Sequence, residues 1–414
     1  MRLNRNQTVV LSNGVITLLL LGLLYVWSIF VKPLEDEFGW NRSETSMIYT
    51  ISIICFSVGV MIGGLLIQSK SPRFANALGF TLVSVGFMAS SQINSLFMLY
   101  ILYGAFGGLG IGICYNSWLS VVLARFPGNT GFAGGILILG FGLGGTVLGP
   151  VVSVFLLSPL GWRYTFLILG AVILLEGLIS QRVLRAPDVR AEGLTVKMSG
   201  ASTREGENSL TTGQMLRQPC FWTYLAWKCI LFCGGNAIVG QVAPIVADMG
   251  GAVYLSTMAV SLLSMGNGLG RVTSGIVFDL LGHRITMIAL TVMFCLCAVV
   301  LMIFYPSGML VPVVSALFIS GVWYGGVSTV AAAFIVKVFG PKHFSSNMGF
   351  NSLVNVPFTL FLSSYIGFVR FKTGAYTGYF NFMFAAGIVA MILALATGRL
   401  IEKCGGGGSE EQRG

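Results

Sequence analysis

Asn267 and Arg271 stand four residues apart inside an apolar stretch, 253–281. On a helix that spacing puts both side chains on one face. An arginine cannot shed its proton, and at mid-membrane it costs about 2.5–3.5 kcal/mol on insertion scales. A chain tolerates that cost where the charge faces a watery cavity and meets an anion. A guanidinium grips a carboxylate through two parallel hydrogen bonds. Asn267 can accept from a substrate hydroxyl or position the arginine. The pair therefore predicts that an organic anion is bound within a membrane.

Other polar side chains in apolar runs extend the set. Tyr25, Tyr115 and Tyr324 offer phenols that can bond a carboxylate while their rings exclude water. Asn355 offers an amide within another apolar run. Glu176 and Asp248 are acids that can carry or relay a proton. Lys228, in the same kind of setting, can pair with Glu176 or snorkel, and reads as structural. Both histidines, His283 and His343, fall between apolar runs, so no imidazole within a run can carry the proton. The eight cysteines show no metal or redox spacing. Cys229 and Cys233, one helical turn apart, read as small core residues. No phosphate-cradling loop is found, and no metal or cofactor is expected.

These residues need a membrane scaffold, and the composition supplies one. The chain has 414 residues, of which 55% are hydrophobic and 9% charged; soluble domains average about 25% charged. Apolar runs long enough to cross a bilayer recur at 9–31, 45–68, 74–92, 96–123, 131–157, 164–184, 220–247, 254–280, 285–305, 309–337, 346–369 and 376–400. The expected fold is an all-α membrane protein of twelve transmembrane helices in two six-helix bundles. The bundles are 1–184 and 219–403, joined by a polar linker, 185–218. Residues 404–414 read as a flexible glycine-serine tail of the kind added for expression, outside the functional reading.

The net charge of +10 is a topology signal rather than a nucleic-acid footprint. Among loop residues, only Lys32, Arg42, Arg163, Arg370 and Lys372 fall on the side opposite the termini; the other loop lysines and arginines share a side with both termini and the linker. The positive-inside rule makes that side cytoplasmic, in an inner or plasma membrane.

An internal repeat supports two equivalent halves. One offset relates Gly64 to Gly275, Gln68 to Asp279 and Arg73 to Arg284. The second copy reads G-x-x-x-D-x-x-G-x-R. A glycine admits close helix approach, and Asp279 and Arg284 can form a charge–helix contact that latches one conformation. This motif resembles the loop signature of the major facilitator superfamily, with Gln68 replacing the acid in the first copy. The resemblance covers essentially the whole chain. It implies a cavity lined by the first, fourth, seventh and tenth spans, and alternating access around a midplane site.

A narrower resemblance rests on Tyr25-Val-Trp27-Ser28-Ile-Phe30-Val-Lys-Pro33-Leu34, Phe38-Gly39-Trp40 and Gly161-Trp162-Arg163. These are similar to the oxalate/formate antiporter family and the related monocarboxylate transporters. The arginine of the eighth span is similar to their carboxylate-binding arginine. Oxalate transporters of this type add a lysine in the eleventh span, where this chain has Asn355. One fixed cation suits one carboxylate, because a dianion would be poorly compensated in a low-dielectric site.

The reading is proton-coupled symport of a short monocarboxylate such as lactate or pyruvate, by a monomer without a nucleic-acid partner. Substrate, proton and lipid bilayer are the expected interactants. Carboxylate exchange is the alternative, and a non-transporting carboxylate sensor a distant one. No arrangement of residues suggests an enzyme.

Overall fold

The computed structural model describes residues 5–40, 42–157, 161–184, 209–239, 241–251 and 253–410. Most of the expected linker lies outside the described residues. Every regular element among them is helical.

The first half contains α1 (Arg5–Leu21), a 3-10 segment (Gly22–Val26), α2 (Trp27–Phe38), α3 (Arg42–Ser69), α4 (Pro72–Ser90) and α5 (Leu96–Leu99). A π-helical segment (Tyr100–Gly107) joins α5 to α6 (Gly108–Arg125), followed by α7 (Thr130–Leu157) and α8 (Gly161–Val183). The second half contains α9 (Thr212–Leu216), α10 (Pro219–Val239), α11 (Val242–Asp248), α12 (Val253–Phe304), α13 (Leu310–Phe339), α14 (Phe344–Leu353), α15 (Asn355–Thr373) and α16 (Thr377–Glu410).

Local chemistry sets several boundaries. Ser71 caps α4 by accepting from the Phe74 amide, with Pro72 at the first helical position. Thr211 and Gln214 form a reciprocal capping box on α9. The break between α14 and α15 falls at Val354, three residues before Pro357. That proline has no amide hydrogen to give the Leu353 carbonyl, and its ring crowds the same group.

Nine helical segments among the described residues are long and apolar enough to cross a membrane. The sequence predicts twelve crossings, and the difference has visible causes. The expected crossings 254–280 and 285–305 lie in one apolar run, Met258–Phe304. Its 47 residues would extend roughly 70 Å if straight, over twice the hydrocarbon thickness. The run is broken at Gly282, whose φ of 80° suits glycine. The expected crossing 74–92 forms α4, which carries Arg73, Asn76 and Ser84. The expected crossing 220–247 is split between α10 and α11 and carries Lys228.

Large apolar side chains face outward along these helices: Leu175 is 60% exposed and Ile392 62%. Exposure on this scale would be costly in water and is expected against lipid tails.

The chain divides into two compact units. The first takes the described residues of Met1–Pro127, Ile136–Ser209 and Gly340–Leu353; the second takes those of Gly128–Gly135, Leu210–Phe339 and Val354–Gly414. Thus α14 belongs with the first unit, and the first residues of α7 with the second. Within the first unit α3 packs on α6 and α14, and α4 packs on α6 and α8. Within the second, α12 packs on α13 and α16, and α10 on α15 and α16.

Candidate substrate site

In the second unit α12 carries Asn267 and Arg271 as the spacing predicts. Arg271 is only 4% exposed, and its Nε donates to Asn267 Oδ1 at 2.8 Å. The bond ties the guanidinium to a neighbour on its own helix face. Close packing sets the backbone here. A Cβ at Gly270 would collide with the Val322 carbonyl of α13, and one at Gly325 with the Asn267 carbonyl. The two helices therefore touch along small residues on either side of the arginine's turn.

Tyr324, on α13, is buried, and its hydroxyl lies 3.5 Å from Asn236 Oδ1 of α10. Its ring sits against Phe232, and a Cβ at Gly235 would strike that ring. Neighbouring Trp323 is fully buried, with its indole edge on Phe294. Asn355 opens α15 and faces α10: Cys229 Sγ approaches its Oδ1 and Cys233 Sγ its carbonyl, both at 3.8 Å. Cys233 also lies 3.4 Å from Thr359 Oγ1. Beside Cys229 in sequence, Lys228 is 2% exposed, a second deeply buried cation of this unit.

Asp248, at the end of α11, is gripped by Arg370 from two sides. Nε lies 2.7 Å from Oδ2 and Nη2 2.8 Å from Oδ1. Tyr305 donates to the same carboxylate at 3.4 Å, and Arg370 stacks over the Tyr376 ring.

In the first unit Tyr115 and Tyr25 meet around one ring. Tyr115 lies edge-on to Phe141 at 5.5 Å and to Phe56 at 5.4 Å, and Tyr25 packs on Phe141 at 5.3 Å. Tyr115 is buried, whereas Tyr25 is 36% exposed. Asn116, one position on, points to the packing side: its Nδ2 donates to the Val60 carbonyl at 2.7 Å and to the Ser345 carbonyl at 2.9 Å.

Glu176 of α8 is 6% exposed and sits among neutral donors. Thr17 Oγ1 donates to its Oε1 at 2.8 Å, Asn13 Nδ2 at 3.0 Å and Ser180 Oγ at 3.2 Å. Sequence reasoning picked out the acid but not this cage, because two of its three donors, Asn13 and Thr17, come from α1. At the opposite end of α8, Arg163 pairs with Glu37 at 3.0 Å and stacks on Trp162, whose indole also donates to Glu37. The Gly161-Trp162-Arg163 string was the only sequence signal for that cluster.

The repeat residues take matched places. A Cβ at Gly64 would collide with the Ser345 carbonyl, and one at Gly275 with the Gly131 carbonyl. Asp279 Oδ1 accepts from the Gly131 amide at 2.9 Å and Oδ2 from the Phe132 amide at 2.8 Å. Gln68 Nε2 donates to Ser346 Oγ at 2.6 Å and lies 3.4 Å from His343 Nδ1. Arg284 lines the close approach to Gly398 of α16.

Family comparison decides the class. The Major Facilitator Superfamily model matches residues 14–356. The chain belongs to the Major Facilitator Superfamily. It is 28% identical over 335 residues to the oxalate:formate antiporter of Oxalobacter formigenes, covering 80% of this chain and 76% of that one. It is 26% identical over 345 residues to monocarboxylate transporter 2 of Mesocricetus auratus, covering 79% and 70%. Among solved structures, the proton:xylose symporter XylE superposes with a TM-score of 0.74 at 14% identity, covering 95% of this chain and 96% of that one. A bacterial homologue of the iron transporter ferroportin gives 0.69 at 15% identity, with 97% and 99% covered. At those identities the two structures speak for the fold alone. The protein is thus a multi-pass membrane transporter related to monocarboxylate transporters and the oxalate:formate antiporter.

Proposed function

We propose that this superfamily member is a proton-coupled symporter of a short monocarboxylate such as lactate or pyruvate. Arg271 carries the reading: a buried, permanently charged guanidinium on a membrane helix, oriented by Asn267. Its two Nη groups are the natural grip for one carboxylate. Tyr324 and Asn355, in the same unit, contact the remainder of a small acid. Tyr115 and Tyr25 serve the substrate path of the first unit. Asp248 and Glu176 are the acids available to carry the proton.

The scaffold for this reading is twelve crossings in two six-helix halves with both termini cytoplasmic, acting as a monomer. The break at Gly282 supports counting α12 as two crossings. Asp279 and Arg284, with Gly275, serve as the conformational latch of the second half. The bonds from Asp279 to two amides of α7 support that role.

One observation favours carboxylate exchange as a second reading. Lys228 is a further buried cation of the second unit, adjacent in sequence to the cysteine that faces Asn355. Two fixed cations suit a dianion, such as oxalate, better than one does.

Uptake of labelled lactate into proteoliposomes separates the readings. Symport predicts accumulation driven by an inward proton gradient and abolished by a protonophore. Exchange predicts uptake that ignores the gradient and requires a carboxylate loaded inside.

A further inference from the structure

We propose that Glu176, in its cage of Asn13, Thr17 and Ser180, is the proton-binding site of the transport cycle. The proposal rests on the symport reading and chooses between its two acids.

Three observations carry it. First, Glu176 is 6% exposed on a membrane helix, and no ion pair to it is found among the described residues. A carboxylate taken out of water without a counter-charge either gathers strong donors or takes up a proton. Second, the cage is lopsided. Thr17, Asn13 and Ser180 all donate to Oε1, and among the described residues none donates to Oε2. One oxygen is thus held as a hydrogen-bonded acceptor while the other keeps its lone pairs for a proton. Such a site can exist charged, on three donors, or neutral, as Oε2–H, without rearranging its walls. Third, the cage joins two helices. Asn13 and Thr17 come from α1, whereas Glu176 and Ser180 come from α8. The single hydroxyl hydrogen of Ser180 can go to Glu176 Oε1 or to Asn13 Oδ1 at 3.3 Å, and its Oγ lies 3.1 Å from Thr17 Oγ1. A change in charge on Glu176 therefore alters the strength of the bonds between the two helices.

The charged groups of the packed elements stand elsewhere. Arg73 of α4 bonds Gln181 at 3.2 Å, and Arg163 of α8 pairs with Glu37. Arg182 lies near the end of α8, and Arg5 opens α1. Asp248 differs in kind: its two oxygens are both engaged by Arg370. That carboxylate is built to stay paired, and we assign it a tie between α11 and α15.

Loading adds one proton to Oε2 from hydronium, leaving water. Unloading returns it to water on the other side of the membrane. One proton moved with one carboxylate makes the cycle electroneutral.

The test is Glu176→Gln in proteoliposomes, compared with wild type. The amide copies the neutral acid and cannot unload. Lactate accumulation driven by a proton gradient should fall at least about tenfold, while labelled lactate should still exchange against internal lactate. Continued exchange shows that the variant is folded. A second pair, Thr17→Val and Ser180→Ala, removes donors to the charged form. It should move the pH of half-maximal uptake upward by about one unit, a shift that lost packing alone would not produce. Wild-type uptake that responds to the gradient, with Glu176→Gln accumulating equally well, would overturn the assignment and leave symport standing. Wild-type uptake indifferent to the gradient would overturn symport itself. A sodium requirement in wild type that disappears in Glu176→Gln would replace the proton with a metal cation.

Discussion

Asp279 and Gln68 hold the same place in the two copies of the repeat, yet they meet their neighbouring helix ends by different chemistry. Asp279 puts one carboxylate oxygen on each of two backbone amides of the first turn of α7. Those amides are among the donors a helix start leaves unsatisfied, and a negative charge there also meets the positive end of the helix dipole. Gln68 is neutral and exposed. Among the described residues it reaches only side chains, Ser346 and His343, at the start of α14. The glycine one turn earlier presses against a backbone carbonyl in both copies. Steric contact is thus common to the two regions, while electrostatic contact is concentrated in one. The lesson is that a repeat can keep its packing while moving its charge–helix contact to one half.

That asymmetry has ordered consequences. Asp279→Ala leaves two amides of α7 without their acceptor and removes the charge. It should cost about 1–3 kcal/mol, read as a fall in thermal unfolding temperature in detergent, together with a clear loss of uptake. Gln68→Ala should cost less than about 1 kcal/mol by the same assay, since it loses one neutral bond at an exposed position. Equal effects from the two variants would break the comparison. Gln68→Asp sharpens it: the new acid stands beside the start of α14, and a gain in unfolding temperature would show that the first copy lacks only the charge.

The smallest effect concerns pH. Burial, with help from the Lys342 charge, lowers the His343 pKa below its ordinary value of 6.5. In the native state the ring resists protonation that the unfolded chain accepts. The contribution of His343 is therefore fully present above pH 6.5 and is lost as pH falls from there through its native pKa. Acidification from pH 7.5 to 5.5 should lower the unfolding temperature slightly more in wild type than in His343→Gln.

The sequence made some of this legible for definite reasons. Asn267 and Arg271 were readable as a pair because i, i+4 spacing fixes a shared helix face, and their bond confirms that face. The matched glycines were readable because both copies recur at one offset. The partners of Glu176 were not, since Asn13 and Thr17 lie far away in sequence and meet it only through helix packing. The grip of Arg370 on Asp248 was hidden in the same way. Twelve apolar runs did not translate into twelve separate long helices. Pro357, the split beside Gln241 and the Gly282 turn divide or join helices at points that hydropathy averages over. The π segment of 100–107 and the 3-10 segment of 22–26 lie in uniformly apolar sequence that carries no local signal of either geometry.

The central claim is that Arg271 anchors the substrate carboxylate. Saturable lactate binding to purified wild-type protein, measured beside Arg271→Ala and Arg271→Lys, tests it most directly. Arg271→Ala should weaken binding by at least about thirtyfold with little change in unfolding temperature, since a buried charge partner of the ligand is gone. Arg271→Lys should recover only a small part, because a point charge lacks the two-pronged geometry. Lactate binding by Arg271→Ala with wild-type affinity would contradict the account.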